Sequence, residues 1–317
     1  MHHTKIVILG TGGTIAGTAS NAFSNIDYTA AQVGVSQLVG GVKGLDGDIE
    51  TEQVAQIDSK DMSFEVWTAL ANRVHHHLAQ NDVQGVVITH GTDTLEETAY
   101  FLQSVLNPAK PVVLTCAMRP ASALAPDGPQ NILDAVSVAR HEGAQGVVVV
   151  CAGDIHSAQD VQKIHTCQLN AFGSGDAGLI GLIQENSLKL LRNWPLDQQI
   201  RLQAATENIA ILNQVKRWPG VEIVMNYAGA SGALVDALVA QGVQGLIVAG
   251  TGNGTVHQSL LDSLLKAQAQ GVHIIRSTRC IQGGVLARVD DSFPSSNSLS
   301  PVKARIHLML SLMGLRA

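Results

Sequence analysis

The chain has 317 residues, enough for about two domains at roughly 100–200 residues each, with cores large enough to need no disulfide or metal staple. Hydrophobic residues make up 45% and charged residues 15%, which excludes a disordered chain, and the net charge of −6 leaves no basic field for nucleic acid. No uninterrupted apolar run approaches the roughly 20 residues of a membrane span, so neither a membrane nor a nucleic acid is expected as partner.

Val/Ile-rich runs at 6–9, 85–89, 111–115 and 146–150 each lead through a Gly- or Asp-bearing turn into a helical pattern. That alternation predicts an α/β fold with a doubly wound, mainly parallel sheet and helices on both faces. Leu95, Ala99, Leu102 and Leu106 fall on one helical face, and a helix near 129–141 is expected to bury Ile132, Val136 and Ala139. From Leu191 the beat stops in a polar, Pro-marked stretch that reads as a linker. It resumes with strands at 221–227, 245–250 and 272–277, helices near 232–241 and 257–269, and a last helix after Pro301. The expected domains are a catalytic α/β domain at 1–190, a linker at 191–218 and a smaller α/β domain at 219–317. The first strand begins at Lys5, leaving no room for a secretory leader, so a cytoplasmic protein is expected. Cys116, Cys151, Cys167 and Cys280 lack C-x-x-C spacing and read as buried thiols of a reducing compartment, with a disulfide left open.

The first strand runs into Gly10-Thr11-Gly12-Gly13-Thr14-Ile15-Ala16-Gly17. A dinucleotide fingerprint fails because Ile15 stands where its last glycine belongs, and a P-loop fails because Thr18 stands where its lysine belongs. What remains is a flexible turn presenting the Thr11 and Thr14 hydroxyls at the carboxyl edge of a parallel sheet, or glycines for packing with threonines as helix caps. His90-Gly91-Thr92-Asp93 forms a second such turn. Asp93 and Glu96 suit a capping box, but a cap leaves Gly91 and Thr92 unexplained. A glycine and a hydroxyl at a helix N-terminus suit a carboxylate or an oxyanion. A threonine hydroxyl attacks only when a neighbouring group takes its proton, and Asp160-Val161-Gln162-Lys163 offers an acid and a lysine at this edge. His75-His76-His77 reads as a solvated helix face rather than a metal tract, and Gly250-Thr251-Gly252-Asn253-Gly254 as a loop able to bind a ligand.

Together, TGGTIAG at 11–17, HGTDTLEETAYFL at 90–102, AMRP at 117–120, DGPQN at 127–131 and GTGNG at 250–254 resemble the bacterial-type L-asparaginase (asparaginase/glutaminase) family over essentially the whole chain. The resemblance implies an amidohydrolase that converts L-asparagine to L-aspartate and ammonia, and it implies no metal or cofactor; low glutaminase activity is expected from the altered α-amine contacts at Lys60, Gly229 and Arg288. It implies a homotetramer of intimate dimers, with each site completed by the neighbour's carboxyl-terminal domain. Thr14 matches the primary nucleophile and Tyr28 the tyrosine of a mobile loop that assists it. Thr92, Asp93 and Lys163 match a second polar triad. Ser59, Gly91, Thr92, Asp93 and Ala117 match substrate-binding positions, with Ser59 meeting the α-carboxylate and Asp93 the α-ammonium.

Three positions depart from the pattern of the periplasmic members: Lys60, Gly229 and Arg288, where side chains that help to hold the α-ammonium are expected. A cation about 5 Å from an ammonium is repulsive by the order of 1–3 kcal/mol at a surface-like dielectric, so a lax grip on substrate is expected unless these groups point away or Asp290 or Asp291 substitutes. Within the same chemistry the alternative is a hydrolase of a related small amide with altered α-amine recognition. A non-catalytic amino-acid-binding protein and an amidotransferase subunit are the competing readings from other classes. The first has no need of the Thr14, Tyr28, Thr92, Asp93 and Lys163 set, and the second wants a basic docking domain that this chain lacks.

Overall fold

The computed structural model describes residues 4–21, 23, 25–185, 187–195 and 202–315. Unbroken Val/Ile runs suit strands covered on both faces, and they become the central strands of the unit Met1–Asn213. Its elements are β1 (Lys5–Gly12), α1 (Val35–Gly40), β2 (Ile49–Ile57), α2 (Phe64–Leu78), β3 (Val83–Thr89), α3 (Leu95–Leu106) and β4 (Pro111–Thr115). Then follow α4 (Gly128–Arg140), β5 (Gly146–Cys151), β6 (Asp154–Ser157), β7 (Gln162–Lys163), β8 (Phe172–Gly173), β9 (Gly181–Gln184), β10 (Ser187–Leu190) and α5 (Leu202–Gln214).

The main sheet has the order β10-β9-β6-β5-β4-β3-β1-β2. Strands β2, β1, β3, β4 and β5 are parallel, and β6, β9 and β10 extend the sheet antiparallel. On one face Ile6, Ile8, Val87, Val113 and Val148 pack with α1 and α4 through Leu38, Ile132, Val136 and Ala139. Helices α2 and α3 bury Trp67, Leu70, Val74, Ala99 and Leu102, and Trp67 stacks on Phe101 at 4.9 Å. Because β2 lies on one side of β1 and β3 on the other, the strand order reverses at β1. Such a switch point opens a crevice at the carboxyl ends of the strands, where ligands of open α/β sheets bind.

The stretch expected as a linker carries α5, while its residues 196–201 lie outside the described residues. Ile209 and Leu212 of α5 are buried, Asn208 Nδ2 donates to the Val105 carbonyl at 3.0 Å, and Asn72 and Asn213 exchange amide bonds at 2.8 and 3.0 Å. The unit Gln214–Ala317 contains β11 (Val221–Met225), α6 (Ala233–Ala240), β12 (Gly245–Gly250), α7 (Gln258–Ala269), β13 (His273–Thr278) and α8 (Pro301–Leu312). Its sheet is parallel in the order β11-β12-β13, and Leu246, Val248, Leu260, Leu264 and Ile274 form its core.

Candidate active site

Strand β1 ends at Gly12, and Gly13 follows it; their φ values of 102° and 81° are torsions that L side chains resist. A Cβ on Gly13 would overlap the Gly91 backbone, and one on Gly91 would overlap the Ser59 Oγ. Glycine thus lets the turns after β1 and β3 touch. The chain next makes one 3-10 turn, Thr14–Ala16, and Thr14 is buried with its Oγ1 2.7 Å from the Tyr28 hydroxyl. The loop that returns Tyr28 is fixed by paired Thr18 and Thr29 backbone bonds at 2.9 Å and by Ala31 N donating to Gly13 O at 3.0 Å. Thr11 is not presented to the crevice: its hydroxyl donates to the Thr89 carbonyl at 2.9 Å and ties β1 to β3.

The second turn runs from Thr89 to Thr94. Ser59 Oγ accepts from Asp93 N at 3.2 Å, and the Ser59 carbonyl accepts from Thr94 Oγ1 at 2.7 Å. The capping box expected of Asp93 is not formed. The cap of α3 is Thr94, without a side-chain cap bond, and the Asp93 carboxylate turns to Lys163. Lys163 Nζ donates to Asp93 Oδ1 at 2.6 Å and to Thr92 Oγ1 at 2.8 Å. The side chain of Lys163 is 20% exposed and that of Asp93 53%, so this short, charge-assisted contact opens to solvent on the carboxylate side. Lys163 projects from the ribbon β7–β8. Asp160, the acid expected beside it, accepts instead from Ser157 Oγ and Arg192 Nη2, each at 2.6 Å. An ammonium, a hydroxyl and a carboxylate in this order can pass a proton, and the buried Thr14 hydroxyl has a phenol through which its own can be relayed. Among the described residues the two groups share no side-chain hydrogen bond; Gly13 packed on Gly91 joins them.

Ala117 is fully buried in the turn after β4, where only its backbone offers polar groups. Two residues with no role legible in DGPQN hold that turn. Asp127 accepts from Met118 N and Arg119 N at 2.9 Å each, and Asn131 Nδ2 donates to Cys116 O at 2.9 Å while its Oδ1 accepts from Ala152 N at 3.1 Å. Apart from a 3.4 Å bond from Asn131 Nδ2 to Asp127 Oδ2, these partners are backbone groups, which leave no sequence signature. His90 is a third such residue. Its Nδ1 meets Gly91 O at 2.7 Å, its Nε2 meets Thr98 Oγ1 at 2.9 Å, and Trp67 Nε1 donates to that same hydroxyl at 2.9 Å. Burial pushes the His90 imidazole down to about 4, which keeps it neutral behind the turn.

Lys60 is held by Asp58 at 2.9 Å and Asp61 at 3.1 Å, so its charge is compensated locally. Gly229 sits exposed at φ 75°. Arg288 is exposed and its amide donates to Asp291, which also pairs with the buried Arg276. The reading of 75–77 as a wholly solvated face fails at His77, which is buried against Glu52 at 2.8 Å. Hydrogen bonds from Arg73 and His77 hold the Glu52 carboxyl below its usual range. Cys116 and Cys151 are buried as expected, whereas Cys167 and Cys280 are exposed. In the loop after β12, Thr251 and Thr255 exchange backbone bonds, and Asn253 bonds to Leu286 N and O.

Profiles of two families match the chain: "Asparaginase, N-terminal" over residues 5–196 and "Glutaminase/Asparaginase C-terminal domain" over 220–314. L-asparaginase 2 of Escherichia coli (strain K12) is 38% identical over 317 residues, covering 97% of this chain and 88% of its own. Glutaminase-asparaginase of Pseudomonas fluorescens biotype A is 38% identical over 322 residues, covering 97% and 86%. The crystal structure of a probable cytoplasmic L-asparaginase from Campylobacter jejuni superposes with a TM-score of 0.89 at 35% identity, covering 99% of this chain and 96% of its own.

Proposed function

The chain belongs to the asparaginase/glutaminase family, and from that premise we propose that it hydrolyses L-asparagine to L-aspartate and ammonia through an acyl-enzyme on Thr14. Thr14 Oγ1 attacks the side-chain amide carbon while its proton passes to the Tyr28 oxygen 2.7 Å away, which hands its own phenolic proton on to the amide nitrogen. The C–N bond breaks and ammonia leaves with that proton; water then attacks the ester, giving its proton through the Thr92 hydroxyl to the Asp93 carboxylate, which the Lys163 ammonium holds in place. Asp93 faces the α-ammonium and Ser59 the α-carboxylate, with Gly91 and the Ala117 backbone lining the substrate. The observation that carries this reading is the Lys163–Thr92–Asp93 cluster docked, glycine to glycine, against the Thr14–Tyr28 pair at the β1/β3 switch point.

The Asp58 and Asp61 carboxylates on Lys60 remove much of the repulsion expected of that cation, which favours asparagine over an amide lacking the α-amine. Gly229 and Arg288 still supply no anion, so a weak grip on substrate and little glutamine turnover belong to the proposal. So do a homotetramer of intimate dimers and a cytoplasmic site of action. The test is ammonia release by Lys163→Met and Thr92→Val proteins of unchanged circular dichroism. A loss of about 10²–10⁴-fold in kcat is expected, and turnover within twofold of wild type overturns the roles.

A further inference from the structure

Two of the four cysteines lie side by side at the end of the main sheet. The parallel register that pairs Thr115 with Val150 puts Cys116 beside Cys151, and their Sγ atoms are 3.6 Å apart with both residues buried and unbridged. Adjacent strands are about 4.8 Å apart, within the Cα range of about 4.4–6.8 Å that a disulfide spans. A bond of about 2.05 Å requires the sulfurs to close by about 1.5 Å. That movement would be felt at the candidate site, because Asn131 grips Cys116 O on one strand and Ala152 N on the other, and Ala117 follows Cys116. The proposed hydrolysis uses neither thiol.

The two sulfurs are not equivalent. Cys116 S–H donates to Cys151 Sγ; that bond and burial push the Cys116 thiol well up, so it keeps its proton. Cys151 S–H in turn donates to the Leu169 carbonyl at 3.8 Å, in the largely exposed segment 164–170, the side from which a small oxidant reaches Cys151 before Cys116.

We propose that Cys116 and Cys151 are a peroxide-oxidisable pair, with Cys151 attacking and Cys116 resolving, whose disulfide shifts the Ala117 backbone and slows hydrolysis. The Cys151 thiolate attacks one oxygen of hydrogen peroxide, the O–O bond breaks, and the released hydroxide leaves as water with the thiol proton. Cys116 sulfur then attacks the Cys151 sulfenic acid; the S–S bond forms, the S–O bond breaks, and the Cys116 proton leaves in a second water. Two thiols lose two electrons and one peroxide gains them.

The slowing of hydrolysis rests on the asparaginase reading; the oxidation does not. Peroxide treatment of the Cys167→Ala/Cys280→Ala protein, followed by peptide mapping, tests the chemistry without interference from the exposed thiols. Linked Cys116 and Cys151 peptides are expected, with a sulfenic acid trapped by dimedone on Cys151 in Cys116→Ala and no label on Cys116 in Cys151→Ala. Asparagine turnover should fall at least about tenfold and return with dithiothreitol. If both thiols stay alkylatable after peroxide, the pair is refuted, and mapping of the protein with both cysteines decides this even if the single variants do not fold. A label on Cys116 overturns the order of attack, and a disulfide with unchanged turnover overturns the coupling. Absence of turnover before oxidation counts against the asparaginase reading alone.

Discussion

Replacing His90 by Gln should change the pH dependence of stability more than stability itself at neutral pH. The imidazole is fully buried, and its pKa is pushed down to about 4 from an ordinary 6.5. Gly91 O can only accept, so Nδ1 carries the proton; Nε2 accepts from Thr98, whose oxygen accepts from Trp67. Above pH 6.5 neither the folded nor the unfolded chain protonates this ring. Between 6.5 and about 4 the unfolded chain takes up a proton that the fold refuses, so stability is lost as the pH falls. At about 1.4 kcal/mol per pKa unit, that window is worth about 3 kcal/mol. His307 is shifted down by burial too and acts in the same direction, so wild type must be compared with the variant. Urea unfolding at half-unit steps from pH 7 to 4.5 should give a shallower slope for His90→Gln by about 1 kcal/mol per unit in the middle of the window. Parallel curves would refute the argument that His90 is held neutral.

Gly13→Ala must put a side chain at φ 81° and into the Gly91 backbone, so a loss of about 2–4 kcal/mol in urea unfolding and of most ammonia release is expected; a change below about 0.5 kcal/mol would contradict the docking of the two turns. Lys60→Gln should alter kcat/KM for asparagine by less than about threefold, because Asp58 and Asp61 already compensate the charge. A tenfold gain, about 1.4 kcal/mol, would show instead that Lys60 repels the α-ammonium.

The central parallel strands are legible because burial on both faces demands unbroken Val and Ile, and the turns after β1 and β3 are legible because their glycines and hydroxyls fit no nucleotide motif. Strand β2 leaves no such run. It lies at the sheet edge, where Glu52 binds Arg73 and Gln53 accepts from Val35 N. Helix α2 carries Trp67, Leu70, Val74 and His77 at helical spacing, but the adjacent histidine tract draws the reading to solvent. Helix α5 buries Ala204, Ala205, Ile209 and Leu212 around the polar Asn208, so its period is diluted in a Pro-marked stretch. At the site, residue types suggest Thr14, Thr92 and Lys163 as reactive groups and the family resemblance puts Asp93 with Lys163, whereas Asp160, nearer in sequence, bonds to Ser157 and Arg192. Asp127 and Asn131 act mainly through backbone partners and His90 through the Gly91 carbonyl and the distant Thr98 and Trp67 side chains, which composition and spacing do not encode.

The central claim is that Thr14, and not Thr92, carries the acyl group. Rapid acid quench of the protein turning over asparagine, followed by peptide mass spectrometry, should find an aspartyl ester on Thr14 of the wild-type chain. Thr14→Ala should show no ester and a kcat lower by at least about 10³-fold. An ester on Thr92, or near-normal turnover by folded Thr14→Ala, would contradict the account.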